Sequence, residues 1–280
     1  MNVLHSLFEK PKAIIAMAHF PAMPGQPLHD ERGGVPAILD AVRRDLEVLN
    51  ASDVDGILFC NENDRPYRTR VGPETVATMA AAVAYLGRET DKPWGVDVLW
   101  DPVAAIAVAK ATGARFVREV FTGTYAGDFG MWNTDPAESL RFRHRIGADD
   151  VRLFFNITAE FAAPVAPRPI GVVARGAVFS SLADAICVSG AITGVGVDVE
   201  ALREAKQAVG DTAVIANTGV RPETIGLLMS VADGVIVGTS LKYDGVTWNP
   251  VDSARVSGLL EAASTAGVWQ PGRVLESVTG

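Results

Sequence analysis

The chain has 280 residues, of which 48% are hydrophobic and 21% are charged, and its formal net charge at pH 7 is −8. This hydrophobic content is sufficient for a large core and excludes disorder by composition. The acidic balance excludes a dedicated binder of nucleic acid or of anionic lipid, which would carry a basic surface.

Short apolar or β-branched runs recur along the whole chain and predict strands. Each run is nearly continuous in its hydrophobicity, as expected for a parallel sheet that is covered on both faces. Eight such runs are present: AIIAMAHF (13–20), GILFCNEN (56–63), WGVDVLW (94–100), RFVREVF (115–121), RLFFNIT (152–158), AICVSG (185–190), AVIANTG (213–219) and GVIVGTS (234–240).

Segments with the periodicity of amphipathic helices alternate with these strands. Two of them open with proline followed by glutamate, and both residues suit the first turn of a helix. The segment after the fifth strand is rich in proline and becomes helical only near Gly171, which predicts a longer loop there. The other predicted helices span 35–52, 72–89, 101–114, 135–148, 197–210, 221–233 and 252–266.

This alternation predicts the α/β class and a single (β/α)8 TIM barrel, a fold of about 250 residues. No Gly/Ser-rich linker divides the chain, so we predict one domain over residues 1–280 with a short N-terminal extension, residues 1–12. A doubly wound open sheet is the alternative. It usually carries G-x-G-x-x-G after the first strand, where this chain has AHFPAMPGQP.

The cysteines and the hydropathy of the chain indicate the cellular compartment in which the protein is found. Cys60 and Cys187 lie in separate apolar runs without metal-ligand or disulfide spacing, which predicts buried thiols in a reducing environment. Residues 1–12 do not resemble a signal peptide, and no segment approaches the ~20 apolar residues of a membrane span. We therefore expect a cytoplasmic protein without membrane insertion.

The active site of a TIM barrel lies at the carboxyl ends of its strands. Asp97 and Glu119 come from consecutive predicted strands, so their carboxyls can divide the roles of acid and base or hold a divalent cation such as Mg²⁺. A structural ion pair with Arg118 is the alternative. His19, which ends the first strand, is a third candidate for proton transfer. We predict no cofactor beyond this possible Mg²⁺ site, because no zinc signature is present.

Further polar residues at strand ends are candidates for substrate binding. The loop FTGTYAGDFGMWNTD, residues 121–135, has the glycines and aromatics of a mobile lid, with Asp128 as its acidic group. An oligomer contact through Met131 and Trp132 is the alternative for this loop. The predicted substrate-binding residues are Asn61, Glu62, Asn156, Asn217 and Asp128.

The loops after the seventh and eighth strands are the usual phosphate site of such barrels. Here they read NTG (217–219) and GTS (238–240), and glycine lets backbone N–H groups approach a phosphate closely. Glycines that merely end strands are the alternative. The predicted phosphate-binding residues are Gly190, Gly219, Gly238, Thr239 and Ser240.

Several segments together resemble the BtpA/SgcQ family of barrel proteins. The most specific are the H-x-P-x-x-P-G element at residues 19–25 and the segment DGVIVGTSLK near the eighth strand. The resemblance implies a barrel of the ribulose-phosphate-binding type, which supports a phosphate site at Gly219, Gly238 and Thr239. One branch of the family is linked to photosystem I biogenesis and another to sugar-utilisation gene clusters.

These features predict an enzyme that acts on a phosphorylated sugar or nucleoside-like molecule by acid/base chemistry, as an isomerase, a lyase or a glycosidic-bond-cleaving enzyme. A homo-oligomer is expected. Lys242 can form a Schiff base in a lyase, but its position past the strand end favours phosphate pairing or surface exposure. The alternatives are a non-catalytic assembly factor for a membrane complex such as photosystem I, and a phosphosugar-binding sensor.

Overall fold

The computed structural model describes residues 2–272 of the chain. Eight parallel strands close into a barrel, as predicted, and three short strands form a separate antiparallel sheet. In chain order the strands are β1 (Ala13–His19), β2 (Gly56–Cys60), β3 (Trp94–Asp97), β4 (Phe116–Glu119), β5 (Thr124–Gly127), β6 (Gly130–Asn133), β7 (Arg152–Asn156), β8 (Ala162–Pro164), β9 (Ala185–Val188), β10 (Ala213–Ala216) and β11 (Gly234–Val237).

Each barrel strand is followed by a helix of the outer layer. Aspartate side chains cap the first turn of several of these helices; Asp101, for example, accepts hydrogen bonds from the N–H groups of Val103 and Ala104. The helices are α1 (Val3–Phe8), α2 (Gly34–Asn50), α3 (Pro73–Leu86), α4 (Pro102–Thr112), α5 (Pro136–Arg145), α6 (Ile170–Ser181), α7 (Val199–Val209), α8 (Pro222–Val231) and α9 (Ser253–Thr265).

The barrel order around the circumference is β1-β11-β10-β9-β7-β4-β3-β2. The helices pack on the outside of the barrel through apolar faces. In α2 the buried residues Ile38, Val42, Leu46 and Leu49 have the spacing of one helix face. All eight predicted strands are present, and each ends one to three residues before its predicted run does. The polar residues of these runs therefore lie either at the end of a strand or in the loop that follows it at the barrel mouth.

The N-terminal extension is a structural element rather than a tail. Leu4 and Phe8 of α1 are buried, and Phe8 packs edge-on against Phe116 at the start of β4, with 5.9 Å between ring centroids. A Cβ atom on Gly56, the first residue of β2, would lie 2.5 Å from the Phe8 ring. Helix α1 therefore covers the amino-terminal end of the barrel, and the glycine makes room for it.

The loop interpreted as a mobile lid forms instead a β-hairpin, β5–β6, which pairs with β8. Trp132 is 3% exposed and packs 5.5 Å from the ring of Trp100 and 5.6 Å from that of Tyr125. Met131 on the opposite face is 61% exposed. The alternative of an oligomer contact through Met131 and Trp132 therefore does not hold for Trp132, because this side chain packs within its own chain.

Both cysteines are free and buried, as predicted. Within residues 2–272, no helix is long and apolar enough to cross a lipid bilayer.

Candidate active site

A cavity of about 470 Å³ opens at the carboxyl end of the barrel. Its inner end is formed by side chains at the ends of β1, β3 and β4 and in the loops after β2, β3, β7 and β10, nearly all of them buried. Its outer end is formed by the loops after β9, β10 and β11 and by the first turn of α8. The lining includes His19, Glu62, Asp97, Trp100, Arg118, Glu160 and Asn217 at the inner end, and Gly194, Gly219, Arg221, Glu223, Gly238, Thr239, Ser240, Asp244 and Arg255 at the outer end.

Arg118 organises the inner end. Its guanidinium donates to Asp97 Oδ2 at 3.0 Å and to Glu160 Oε1 at 2.5 Å. Glu160 in turn accepts from the Asn156 amide at 2.8 Å and from the Asn217 amide at 3.2 Å. All five residues are buried, so the arginine and the amides replace the hydrogen bonds that the acidic side chains would make with water.

Asp97 and Glu119 are adjacent, as their strand order predicts. Burial raises the pKa of Asp97, although Arg118 opposes this effect. Burial and the neighbouring Asp97 charge raise the pKa of Glu119 well above its ordinary value. Because Arg118 pairs with Asp97 and not with Glu119, Asp97 is the carboxylate of the pair and Glu119 keeps its proton at neutral pH.

Glu62 is the acid of the cavity whose pKa lies near neutrality. Burial raises its pKa to about 7, against the effect of a hydrogen bond from the Thr193 hydroxyl to Glu62 Oε1 at 3.0 Å. The other carboxyl oxygen, Oε2, lies 3.6 Å from the Cys60 thiol. A carboxyl with such a pKa can both give and take a proton at physiological pH.

His19 lies in the cavity wall beside Gly238, where a Cβ atom would come 2.9 Å from the imidazole ring. Burial and the nearby Lys242 charge lower the pKa of His19 to about 3. The ring is therefore neutral at pH 7 and suits hydrogen bonding better than proton transfer. Lys242 itself is buried and paired with Asp45, so the expectation that it pairs with phosphate or lies at the surface is wrong.

The outer end has the features of an anion site. Gly219, with φ of +63°, packs against the Gly196 backbone, and Gly238 and Thr239 begin the short turn after β11. Arg221 and Arg255 are exposed side chains that line this end. Glycine backbones, two guanidinium groups and the start of α8 together favour a phosphate here, whereas the nearby acids Glu223 and Asp244 oppose it.

The comparisons with known proteins agree with this architecture. The model of the BtpA family matches residues 10–265. The chain belongs to the BtpA family. It is 45% identical over 261 residues to the sgc region protein SgcQ of Escherichia coli K12. This alignment covers 93% of this chain and 97% of the relative. It is 31% identical to the photosystem I biogenesis protein BtpA of Synechocystis, over 92% of this chain and 90% of that protein.

Solved structures with the same fold share little sequence with this BtpA family chain. A TrpA mutant of tryptophan synthase from M. tuberculosis superposes with a TM-score of 0.57 at 18% identity, over 95% of this chain and 100% of that one. Thiamine phosphate pyrophosphorylase from Pyrococcus furiosus gives a TM-score of 0.54 at 15% identity, over 91% and 97% of the two chains. At these identities the likeness shows the barrel fold alone.

The cavity of the BtpA family chain contains most, but not all, of the residues predicted from sequence. Asn61 is buried outside it, where its amide oxygen accepts from the Leu99 N–H and its amide nitrogen donates to Asp64. The Asn156 amide donates a hydrogen bond to Glu160 and does not line the cavity. Asp128 is exposed at the tip of the β5–β6 hairpin. These three residues therefore lack direct access to a ligand in the cavity.

Two further predicted site residues also lie outside the cavity lining. The Gly190 N–H donates to the Thr218 hydroxyl at 2.5 Å, and a Cβ atom at Gly190 would lie 2.3 Å from the Val195 carbonyl oxygen. This glycine serves close packing instead of offering a free amide. Glu119 acts only through its contact with Asp97.

Arg221, Arg255, Thr193 and Glu160 were missed by the sequence reasoning. Arg221 carried a signal, because it lies two residues after the NTG turn and precedes the proline that opens α8. Arg255 lies in α9, far from any strand-end motif. Thr193 lies in the loop after β9, three residues beyond the predicted Gly190, but its side chain was not among the candidates. Their place in the cavity depends on how helices and loops fold back over the barrel mouth.

The residues do not fit the Mg²⁺ site considered for Asp97 and Glu119. Asp97 already binds a guanidinium, and Glu119 keeps its proton, so the pair offers a cation little negative charge. Across residues 2–272, no group of three or more His, Cys, Asp or Glu side chains is arranged to hold a metal ion.

Proposed function

We propose that this BtpA family protein is an enzyme that binds a phosphorylated sugar or nucleoside-like molecule in the mouth cavity and acts on it by proton transfer. The observation that carries the proposal is that Glu62, a buried acid with a pKa of about 7, faces the same cavity as the glycine turns and arginines of the outer end. Isomerisation, carbon–carbon cleavage and glycosidic cleavage all require such a transfer, and the proposal covers these three reaction classes.

The two ends of the cavity have different roles in this proposal. The phosphate binds at the loops after β10 and β11, between Gly219 and Gly238, where Arg221 and Arg255 offset its charge. The reacting end lies against Glu62 and Asp97. Glu62 exchanges a proton with the substrate, and Asp97, with the Glu119 proton beside it, is the second acid/base group.

Binding is tested by thermal shift with matched compounds: ribose 5-phosphate and ribose, fructose 6-phosphate and fructose, and uridine monophosphate and uridine. A ligand at 100 times its Kd adds about 2.7 kcal/mol to the free energy of unfolding. We expect stabilisation only by phosphorylated members. The response should fall in Arg221→Gln and Arg255→Gln, and persist in Arg175→Gln, an exposed position of α6 outside the cavity.

Chemistry is tested by proton exchange. A binding compound is incubated with the protein in D₂O, and deuterium incorporation at its carbon atoms is followed by NMR. Glu62→Gln should abolish incorporation and keep the thermal shift, while Glu261→Gln, an exposed residue of α9, should change neither. Glycosidic cleavage protonates an oxygen and leaves no deuterium on carbon, so the same spectra are also inspected for new products. Binding with neither exchange nor a new product would instead support a phosphosugar sensor.

The name of the Synechocystis relative favours a second candidate function, assembly of a membrane complex by a non-catalytic surface. That function would depend on the exposed face of the protein, and Glu62→Gln would leave it intact. Complementation of a strain that lacks the Synechocystis relative, by the wild-type chain and by Glu62→Gln, separates the two candidates.

Location and assembly form part of the proposal. We place the enzyme in the cytoplasm, because its substrates are phosphorylated metabolites, and propose that it is a homo-oligomer. Light scattering after gel filtration tests the subunit count.

A further inference from the structure

Buried polar atoms without hydrogen-bond partners concentrate at the inner end of the cavity. Among residues 2–272, seven buried side-chain nitrogen or oxygen atoms lack a partner of ordinary geometry. Four of them belong to cavity-lining residues: His19 Nδ1, Asp97 Oδ1, Trp100 Nε1 and Arg118 Nε. The Glu119 proton supplies a partner for Asp97 Oδ1, which leaves His19 Nδ1, Trp100 Nε1 and Arg118 Nε for a ligand. An unsatisfied buried polar group costs about 1–3 kcal/mol, so this concentration indicates a place where a ligand supplies the partners.

These atoms include both donors and acceptors. The neutral His19 ring bonds the Thr247 backbone through its other nitrogen, which leaves Nδ1 as an acceptor, while Trp100 Nε1 and Arg118 Nε only donate. Trp100 and Arg118 are 2% and 4% exposed, so bulk solvent does not reach these donors freely. A hydroxyl group both donates and accepts, whereas a carboxylate only accepts and an ammonium only donates. Hydroxyl groups on neighbouring carbons therefore match this end of the cavity.

Charge adds a second constraint. The carboxyls of Glu62, Asp97 and Glu160 line the inner end, and Arg118 is the guanidinium that pairs with two of them. A carboxylate on the ligand would lie among like charges in a region of low dielectric, where repulsion is strong. The outer end, with Arg221 and Arg255, is the place for an anion.

We propose that the inner end of the cavity selects hydroxyl groups and rejects a carboxylate, so that the substrate is a phosphorylated polyol or sugar and not a phosphorylated sugar acid. The inference rests on the proposed function, because it assumes that a phosphate occupies the loops after β10 and β11. It adds the chemistry of the opposite end of the substrate.

The test compares glucitol 6-phosphate with 6-phosphogluconate by isothermal titration calorimetry at pH 8. The two compounds share six carbons and a phosphate and differ only at C1, where one has a hydroxymethyl group and the other a carboxylate. We expect the acid to bind at least about ten times more weakly, which corresponds to about 1.4 kcal/mol. If only five-carbon compounds bind, ribitol 5-phosphate and 5-phosphoribonate form the corresponding pair.

Two variants locate the source of the discrimination. Glu62→Gln removes a charge from the inner end and should narrow the ratio between the two affinities. Glu223→Gln removes a charge from the outer end, near the phosphate. This variant should raise the affinity for both compounds by the same factor, so the ratio of the two affinities should not change.

Equal affinities for the two compounds, or a ratio unchanged in Glu62→Gln, would overturn the inference and leave the proposed function standing. If no phosphorylated compound binds at all, while the protein remains folded, the proposed function fails and the inference fails with it. The two failures are therefore distinguishable by the phosphorylated sugars of the thermal-shift panel.

Discussion

The position of Arg118 gives Asp97 and Glu119 different protonation states. Both carboxyls are fully buried and adjacent, but the guanidinium reaches only Asp97. Asp97 therefore retains its charge at lower pH than Glu119, whose pKa is raised by burial and by that charge. A buried acid that keeps its proton beside a carboxylate is a common arrangement for acid/base chemistry.

The proton on Glu119 predicts a pH-dependent stability. The folded protein keeps a proton that the unfolded chain loses above its ordinary pKa of 4.5, so this group lowers the free energy of unfolding as pH rises. The slope is at most about 1.4 kcal/mol per pH unit. Glu119→Gln keeps the shape of the protonated acid and removes the titration. Urea unfolding from pH 6 to 8 should therefore show the variant gaining stability relative to wild type.

Exposed Glu261→Gln serves as the control for this measurement and should parallel wild type at each pH. A stability difference between Glu119→Gln and wild type that does not change with pH would show that Glu119 is ionised in the folded protein.

Sequence reasoning could find the residues that strands present directly at the barrel mouth. His19, Glu62, Asp97 and Asn217 all follow or end apolar runs and all line the cavity. It could not find which carboxyl would have a pKa near neutrality, because that depends on the burial of Glu62 and on a hydroxyl 131 positions away.

The loop after β9 crosses the barrel mouth to reach the end of β2. Thr193 in this loop donates to Glu62 Oε1, which stabilises the ionised carboxyl and holds its pKa down. Thr193→Val removes the donor at nearly constant volume, so the pKa of Glu62 should rise above its value of about 7. A ¹³C NMR titration of the glutamate carboxyl carbons, with Glu62→Gln for assignment, measures it.

Thr193→Ser keeps the hydroxyl and should restore the wild-type titration. If Thr193→Val titrates like wild type, the loop does not contact Glu62 in solution.

The two faces of the small antiparallel sheet should differ in how much they contribute to stability. Trp132 and Met131 are neighbours on β6 that point to opposite faces, 3% and 61% exposed. Trp132→Ala removes a buried aromatic in contact with Trp100 and Tyr125 and should cost about 3–5 kcal/mol, the usual range for such truncations. Met131→Ala should stay within about 0.5 kcal/mol of wild type. Urea unfolding of both variants compares the two faces directly.

Limited proteolysis near residues 127–130 should be faster in Trp132→Ala than in wild type, and should proceed at the wild-type rate in Met131→Ala. Equal stability of the two variants would contradict the packing described for the hairpin.

Some secondary-structure elements could be predicted from sequence and others could not. The barrel strands and outer helices could be predicted because each has its own hydrophobic periodicity, as in the buried face of α2. The β5–β6 hairpin was not, because glycines and aromatics over residues 121–135 also suit an irregular loop. Pairing between β5 and β8 joins segments more than 30 residues apart and leaves no local pattern.

For the whole molecule, α1 links the start of the chain to the base of the barrel. Leu4, Leu7 and Phe8 belong to the same buried cluster as the inward side chains of the strands, including Phe116 and Phe154. A helix of six residues has little stability alone, so its order depends on this packing. The barrel in turn has its base covered by α1, and the two should unfold together.

Phe8→Ala tests this coupling. The loss of the buried ring should lower the free energy of unfolding by about 3–5 kcal/mol, and fluorescence and circular dichroism should still report a single transition. His5→Ala changes an exposed residue of the same helix and should have an effect within about 0.5 kcal/mol. If α1 were only an appended tail, Phe8→Ala would increase amide exchange in residues 3–8 and leave the global transition unchanged. A shift of the whole transition would instead establish α1 as part of the barrel's core.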